Sequence, residues 1–362
     1  MTQQQPASLE LRSLEVTLAQ QEILRKIELS ILPGELFVLL GGAASGKSTL
    51  LRSIAGLDPV TAGEIWIDDQ QITHLGAQRR DTALMFQSFP LWPHMTVSNN
   101  VAFALKGQGL TAAEVHKRVD AELAFVGLSE FERHLPWQLT DSQRQRAALA
   151  RTLIADARIN LLDEPFSVQD AQLRERLLRV LRKRQQQINT TTLLTTQDRN
   201  EALRVADRIA VIHEGELQQV GTPMELYDTP RNRHVAEYMG SANLVDGEIE
   251  YVGDQPLFRA ENGMVIPLFD QAVRRPRTGS AMFRPHDVHV VSRHEAPFGD
   301  QIRFTGRVEQ IEFLGDVLRY AIDLAGRVVW MDLPRSAGQP TLNIGDQLVV
   351  GLDPAKIRIL ER

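Results

Sequence analysis

The first two thirds of the chain predict an α/β fold built on a largely parallel sheet, and the last third predicts a small all-β domain. Three observations carry this. Strand-like and helix-like segments alternate from residue 9 to the boundary, as expected when helices cover a parallel sheet. A glycine-bearing loop, GGAASGKST (residues 41–49), stands between an apolar strand and a helix. Beyond a boundary at 240, helical periodicity gives way to short strands bounded by Gly, Asp or Pro.

The elements follow in order. Leu9, Leu11 and Leu14 open a β pattern, and Ile23 to Ile31 continue it with alternating apolar positions. Pro33-Gly34-Glu35 is a turn, and the continuously apolar ELFVLLG after it is a buried strand. From Lys47, STLLRSIAGL is helical, with Gly56 as its stop. Residues 98–155 carry helical periodicity in AAEVHKRVDAELAFVGL and QRQRAALARTLIAD. RINLLDE is a strand, residues 170–187 are a charged amphipathic helix ending near Asn189, and TTLLTT is a strand. DRNEALRVAD is a helix, and RIAVIHEGELQQVG is a hairpin around Glu214-Gly215. After MGSAN come VDGEIEYV, TGRVEQIEFLG, LRYAIDLAGRVVWMDL and DQLVVGL, the strands of a small barrel or sandwich.

Composition bounds the function. A chain of 362 residues suits two domains, and 43% apolar with 24% charged residues excludes a disordered, collagen-like or coiled-coil chain. A net charge of −6, from 40 basic and 46 acidic residues, disfavours general nucleic-acid binding, so no nucleic-acid partner is expected. With no cysteine, disulfides, zinc–thiolate sites and thiol nucleophiles are excluded. No apolar run approaches the roughly 18 residues of a spanning helix. The start, MTQQQPASLELRS, lacks a basic segment followed by an apolar one. The expected place is therefore the cytosol, or a membrane reached through a partner.

Gly41, Gly46, Lys47 and Ser48 satisfy G-x-x-x-x-G-K-[ST] between a strand and a helix, the context that motif requires. Backbone N–H groups of such a loop curl around a β-phosphate, aided by the helix N-terminus. Lys47 offers a cation to β and γ oxygens, and the Ser48 hydroxyl is placed to ligate Mg²⁺. INLLDEP ends an apolar strand in Asp163-Glu164. Asp163 is suited to the Mg²⁺ shell and Glu164 to polarising an attacking water.

These residues resemble the nucleotide-binding subunit of importer-type ABC transporters, and the resemblance covers nearly the whole chain. MFQSFPLWPHMTVSNNVAF is similar to that family's Q-loop, with Gln87 as the γ-phosphate and Mg²⁺ sensor. LTDSQRQRAALAR (139–151) sits at the signature, SVQD (167–170) at the D-loop and TTQDRNEAL (195–203) at the switch. FRPHDVHVV and FTGRVEQIEFLGDVLRY resemble the family's C-terminal β-barrel. The resemblance implies a P-loop NTPase cassette over 1–240 with a helical subdomain at about 88–155, then an OB-like regulatory domain over 241–362. It implies ATP and Mg²⁺ as cofactors. Nucleotide would be held by Gly41, Gly42, Ala43, Ala44, Ser45, Gly46, Lys47, Ser48 and Thr49, with Leu18 beside the base. Ser48, Gln87 and Asp163 would hold the metal, and Glu164, Gln197 and Gln87 would serve hydrolysis. Thr140, Asp141, Ser142 and Gln143 would complete the site of a second ATPase subunit, so that two cassettes sandwich ATP. Phe89, Leu91, Trp92 and Met95 would dock a permease's coupling helix. The implied place is the cytoplasmic face of the inner membrane, with permease subunits as partners and a periplasmic or surface solute-binding protein engaged indirectly.

Four positions depart from the family pattern. Leu18 replaces an aromatic residue, losing a base stack worth on the order of 1 kcal/mol. Ala44 stands where a small residue, commonly Gly, is usual, and is strained if φ there is positive. Thr140-Asp141-Ser142 replaces Ser-Gly-Gly, adding bulk and a carboxylate near a triphosphate. Gln197 replaces the switch histidine. It still donates a neutral hydrogen bond, but loses a charge-assisted contact worth on the order of 10²-fold in rate. The expected function is ATP hydrolysis coupled to import of a small polar solute of the iron, phosphonate, polyamine or sulfate class, slowed by these departures. The alternative is a nucleotide-binding regulatory or structural subunit of such a transporter with little or no turnover. A soluble ABC protein of translation or repair fits poorly, because only one cassette is present. His286, His289 and His294, the RRPR run at 274–277 and the basic RLLRVLRKR face are read as solvated surface.

Overall fold

Parallel strands buried on both faces read as continuous apolar runs. The computed structural model places such runs at the centre of the first of two units. It describes residues 5–253, 255–261, 263–268, 278–291, 302–335 and 341–361. The chain divides between Met224 and Glu225, so residues 225–240 group with the second unit rather than with the first.

The first unit runs β1 (Leu9–Leu18), β2 (Gln21–Ile31), β3 (Leu36–Leu40), α1 (Lys47–Ile54), β4 (Ala62–Ile67), β5 (Gln70–Gln71) and β6 (Thr82–Met85). It continues with α2 (Val97–Ala102), α3 (Ala112–Phe125), α4 (Asp141–Leu153), β7 (Ile159–Asp163), α5 (Ala171–Ile188), β8 (Thr191–Thr196), α6 (Arg199–Val205), β9 (Arg208–His213) and β10 (Glu216–Gly221). One sheet has the order β10-β9-β3-β8-β7-β6; only β10 is antiparallel to its neighbour. Its inner strands β3, β7 and β8 are buried at every position. An antiparallel sheet, β2-β1-β4-β5, shares a core with it through residues such as Leu9, Leu14, Phe37, Leu50, Leu161 and Leu193. The helical stretch forms α2, α3 and α4, which pack on one another, and α4 also lies against β6 and β7. Thr96, Thr111, Thr140, Asp170 and Asp198 cap α2 to α6 with their side chains, each satisfying an otherwise orphaned N–H. The β9–β10 hairpin turns at Glu214-Gly215, both with positive φ, as a two-residue turn requires.

A short helix, α7 (Pro223–Asp228), spans the division, and α8 (Arg233–Met239) follows it. The second unit then carries β11 (Asn243–Val252), β12 (Gln255–Ala260), β13 (Val265–Pro267), β14 (Thr278–Phe283), β15 (Val288–Val291), β16 (Ile302–Phe313), β17 (Val317–Leu324), β18 (Arg327–Pro334), β19 (Gln347–Leu352) and β20 (Arg358–Glu361). They form two five-stranded antiparallel sheets, β13-β12-β11-β14-β20 and β15-β19-β16-β17-β18. Phe258, Phe283, Tyr320 and Met331 lie in one core between them. Arg284 is buried and donates to the carbonyls of Tyr227, Ala236, Gly240 and Ser241, binding the short helices to β14. The RRPR run and His294 lie outside the described residues. Side-chain exposure at His286 is about half, its ring stacked on Tyr227. Among the described residues no three His, Cys, Asp or Glu side chains converge to hold a metal.

Candidate functional site

Ligands of open α/β sheets lie beyond the carboxyl ends of parallel strands where strand order reverses. Here β3 is flanked by β8 and β9, and the sequence-predicted residues follow the carboxyl ends of four adjacent strands. The glycine loop leaves β3, Gln197 leaves β8, Asp163 and Glu164 end β7, and Gln87 leaves β6. The register puts Leu40 beside Thr196, Asp163 beside Thr195 and Leu162 beside Met85, so the four ends are level.

The loop is bound to its scaffold. Gly41 N–H donates to the Thr196 carbonyl at 3.3 Å, Gly215 N–H to the Ser45 carbonyl at 3.2 Å, and the Ser45 hydroxyl to the Gly42 carbonyl at 2.9 Å. Gly46 has φ +100 and a Cβ there would press on Leu24 of β2, so only glycine suits the position. Ala44 has φ +59, a left-handed conformation that costs an L-residue about 1–2 kcal/mol. Ala43 and Ala44 form the exposed tip, while Ser48 and Thr49 are half-buried on the first turn of α1. α1 begins with no side-chain cap and no acidic residue in its first turn, leaving its N–H groups and positive end for an anion.

Lys47 is 4% exposed, and its ammonium donates to the carbonyls of Gly41 and Gly42 at 2.8 and 2.7 Å, with Glu164 Oε1 at 3.7 Å. Burial lowers its pKa from the usual lysine range, against the pull of Glu164 and Asp163. Asp163 is buried, and that burial raises its carboxyl; hydrogen bonds from the Thr195 hydroxyl, at 2.7 Å, and from Ser48 oppose the rise. Glu164 has φ +46, and its N–H donates to Thr195 Oγ1 at 3.0 Å. Two amides meet its carboxylate: Gln87 Nε2 donates to Oε2 at 3.1 Å and Gln197 Nε2 to Oε1 at 2.8 Å. One carboxylate thus gathers Lys47, Gln87 and Gln197.

Gln197 is braced from behind. Asp198 caps α6 and pairs with Arg174 at 3.2 Å, while Thr196 Oγ1 donates to buried Glu201 at 2.6 Å. Leu18 ends β1 opposite Gln21 at the hairpin turn and is half-buried against the core.

The signature residues form the N-terminus of α4. Thr140 and Gln143 cap it reciprocally, the Thr140 N–H donating to Gln143 Oε1 at 2.9 Å and the Gln143 N–H to Thr140 Oγ1 at 3.3 Å. Asp141 turns outward and pairs with Arg144 on its own helix. The Ser142 hydroxyl turns inward, donating to Gln169 Oε1 at 2.6 Å. Phe89, Leu91, Trp92 and Met95 are all half-buried. Of these, Trp92 is the most committed to its own chain, its ring 4.2 Å from Phe103 and beneath the Arg151 guanidinium.

Sequence reasoning missed Thr195, Gln145 and Gln169. Thr195 carried a signal, since a polar residue in the fully buried β8 needs a partner. Gln145 and Gln169 lie within the stretches that resemble the signature and the D-loop, but nothing in the sequence pairs them.

The sequence matches the ABC transporter family over residues 24–167 and the TOBE domain over residues 281–360. The chain is 39% identical over 304 residues to the spermidine/putrescine import ATP-binding protein PotA of Nitrosomonas europaea, covering 82% of this chain and 83% of that one. It is 37% identical to the Fe(3+) ions import ATP-binding protein FbpC of Agrobacterium fabrum, with 88% of both chains covered. To the sulfate/thiosulfate import ATP-binding protein CysA of Nocardia farcinica it is 46% identical, over 62% of this chain and 67% of the other. Among solved structures it is similar to the dimeric ATP-binding cassette MJ0796 bound to ADP and Pi, with a TM-score of 0.55 and 29% identity over 59% of this chain and 98% of that one. The chain therefore belongs to the ABC transporter family as an import ATP-binding subunit, an ATPase that carries both the family's cassette and a TOBE domain.

Proposed function

We propose that this chain hydrolyses ATP at the carboxyl ends of β3, β8, β7 and β6 to drive import of a small polar solute. The solute class is that of the polyamine, ferric iron and sulfate relatives. The convergence of Lys47, Gln87 and Gln197 on the Glu164 carboxylate is the single observation that carries the reading. With nucleotide bound, Lys47 exchanges its carbonyl and carboxylate contacts for phosphate oxygens, at the open N-terminus of α1. Glu164 then orients the attacking water and takes its proton, a role worth about 10²–10⁴-fold. Gln87 and Gln197, now touching Glu164, are placed to follow the γ-phosphate.

The donor set fits Mg²⁺. Ser48 and Asp163 offer hard oxygens, joined by hydrogen bonding, and Gln87 adds an amide oxygen. Mg²⁺ supplies neutralisation of phosphate charge when bound. The chain acts as a dimer in which Thr140, Asp141, Ser142 and Gln143 face the partner copy's nucleotide. Phe89, Leu91, Trp92 and Met95 receive a permease at the cytoplasmic face of the membrane. The proposed functional division is a cassette over 1–240 and a regulatory β domain over 241–362, which gives to the cassette the residues 225–240 that pack with the second unit.

The test is phosphate release with Mg-ATP, with Glu164→Gln as the blank. A rate in the wild type about 10²-fold or more above the blank is expected. Equal rates with ATP still bound would overturn the assignment of Glu164 and favour a subunit that binds without turnover, the reading that Gln197 and Asp141 motivate.

A further inference from the structure

Two buried glutamines stand between the signature turn and Glu164. Gln145 lies on α4 one turn after Ser142, on the same face, and is fully buried. Gln169 lies in the turn before α5 and is 3% exposed. The Ser142 hydroxyl donates to Gln169 Oε1 at 2.6 Å, and Gln169 Nε2 donates to the Ser142 carbonyl at 3.1 Å and to Gln145 Oε1 at 2.7 Å. Gln145 Nε2 in turn donates to the Glu164 carbonyl at 3.2 Å and to Ser167 Oγ at 3.1 Å.

Each amide here uses its oxygen once and both of its N–H groups, so every donor is satisfied. Turning the Gln169 amide over would set its oxygen against the Ser142 carbonyl and Gln145 Oε1, two acceptors. The ladder therefore holds in one direction only. A buried polar network satisfied throughout is rigid, and one lost rung leaves several groups unpaired. The far end of the ladder is the carbonyl of Glu164, the residue after β7; it also accepts from the Ser167 N–H at 3.3 Å, and its left-handed φ of +46 is a strained conformation that its surroundings must hold.

We propose that Gln169 is a positioning residue that fixes the Glu164 backbone through Gln145 and makes it answer to the place of Ser142. This rests on Glu164 serving hydrolysis, as proposed above. A shift of Ser142 withdraws the acceptor and donor that orient Gln169, which frees Gln145 and lets the Glu164 turn relax. Gln169 touches neither Lys47 nor Asp163, so nucleotide affinity stays outside its reach.

The test replaces Gln169 by leucine, similar in size and without hydrogen bonds, and Ser142 by alanine. In Gln169→Leu, phosphate release under saturating Mg-ATP falls about tenfold while the ATP Kd stays within about twofold. Ser142→Ala falls less, and the Ser142→Ala/Gln169→Leu pair falls no further than Gln169→Leu alone, since the rungs act in series. Amide hydrogen exchange over residues 164–167 rises in both variants. A kcat unchanged in Gln169→Leu, additive losses, or a loss of ATP affinity equal to the loss of rate would overturn the proposal. If the wild type itself releases no phosphate above the Glu164→Gln blank, the role of Glu164 fails instead. Exchange at 164–167 then decides the ladder by itself, and exchange unchanged in Gln169→Leu refutes it.

Discussion

α1 and α4 both begin beside a motif that resemblance assigns to phosphate, yet their N-termini are built in opposite ways. α1 starts after a left-handed glycine, with no side-chain cap and no acid in its first turn. α4 starts with a reciprocal Thr140–Gln143 cap and carries Asp141 in its first turn. The first leaves N–H groups and a positive helix end to an anion; the second caps the Gln143 N–H and sets the Asp141 carboxylate at its positive end. The proposed binding part, apart from Leu18 and the left-handed Ala44, keeps the family's chemistry, whereas the signature and the switch of the proposed turnover part do not. Gln197 belongs with the altered part, because a neutral amide replaces an ionisable ring at the switch.

Breaking the intact side has the largest expected effect. Lys47→Ala removes a charged donor at the loop, and ATP affinity should fall about 10- to 100-fold, as a lost charge-assisted bond implies. Fluorescent-nucleotide titration checks this. Next comes repair of the altered side. Gln197→His should raise phosphate release about tenfold, a fraction of the full value of one transition-state donor, with the ATP Kd unmoved.

Asp141→Asn removes the carboxylate but keeps its size. Denaturant unfolding should show a loss of about 0.3–1 kcal/mol, since an acid in the first turn favours the helix. Turnover should rise at the same time, a stability and activity pair of opposite sign. The smallest effect concerns Glu201 behind the switch. Burial raises its carboxyl above the ordinary range, opposed by the Thr196 hydroxyl and Arg174. The folded protein keeps that proton at pH values where the unfolded chain has lost it. The contribution of this group is therefore complete below the ordinary carboxylate range and is lost as pH rises through the raised folded value. Melting temperatures across that window should fall with rising pH in the wild type and less steeply in Glu201→Gln.

Local pattern made much of this legible. Lys47, Asp163 and Glu164 sit in short contiguous motifs at strand ends, and the continuously apolar β3 announced a buried strand of a parallel sheet. Thr140-x-x-Gln143 is a capping pattern open to reading, although the family comparison drew attention to its missing glycines instead. The inward turn of Ser142 was not legible, because its partner Gln169 is 27 residues away and meets it only in the fold. Gln145 and Glu164 are joined across 19 residues in the same way. The helices α7 and α8 have six and seven residues, too few to show a 3.6-residue period. Ala44 shows the converse: the motif exposed the position, and the structure supplied the positive φ that makes it strained.

The separation of binding from turnover is tested most directly by one paired experiment. ATP affinity and single-turnover phosphate release are measured side by side in the wild type, Lys47→Ala and Gln197→His. A crossed result is expected, with Lys47→Ala losing affinity and Gln197→His gaining rate at unchanged affinity. A Gln197→His protein that binds ATP more tightly but releases phosphate no faster would contradict it.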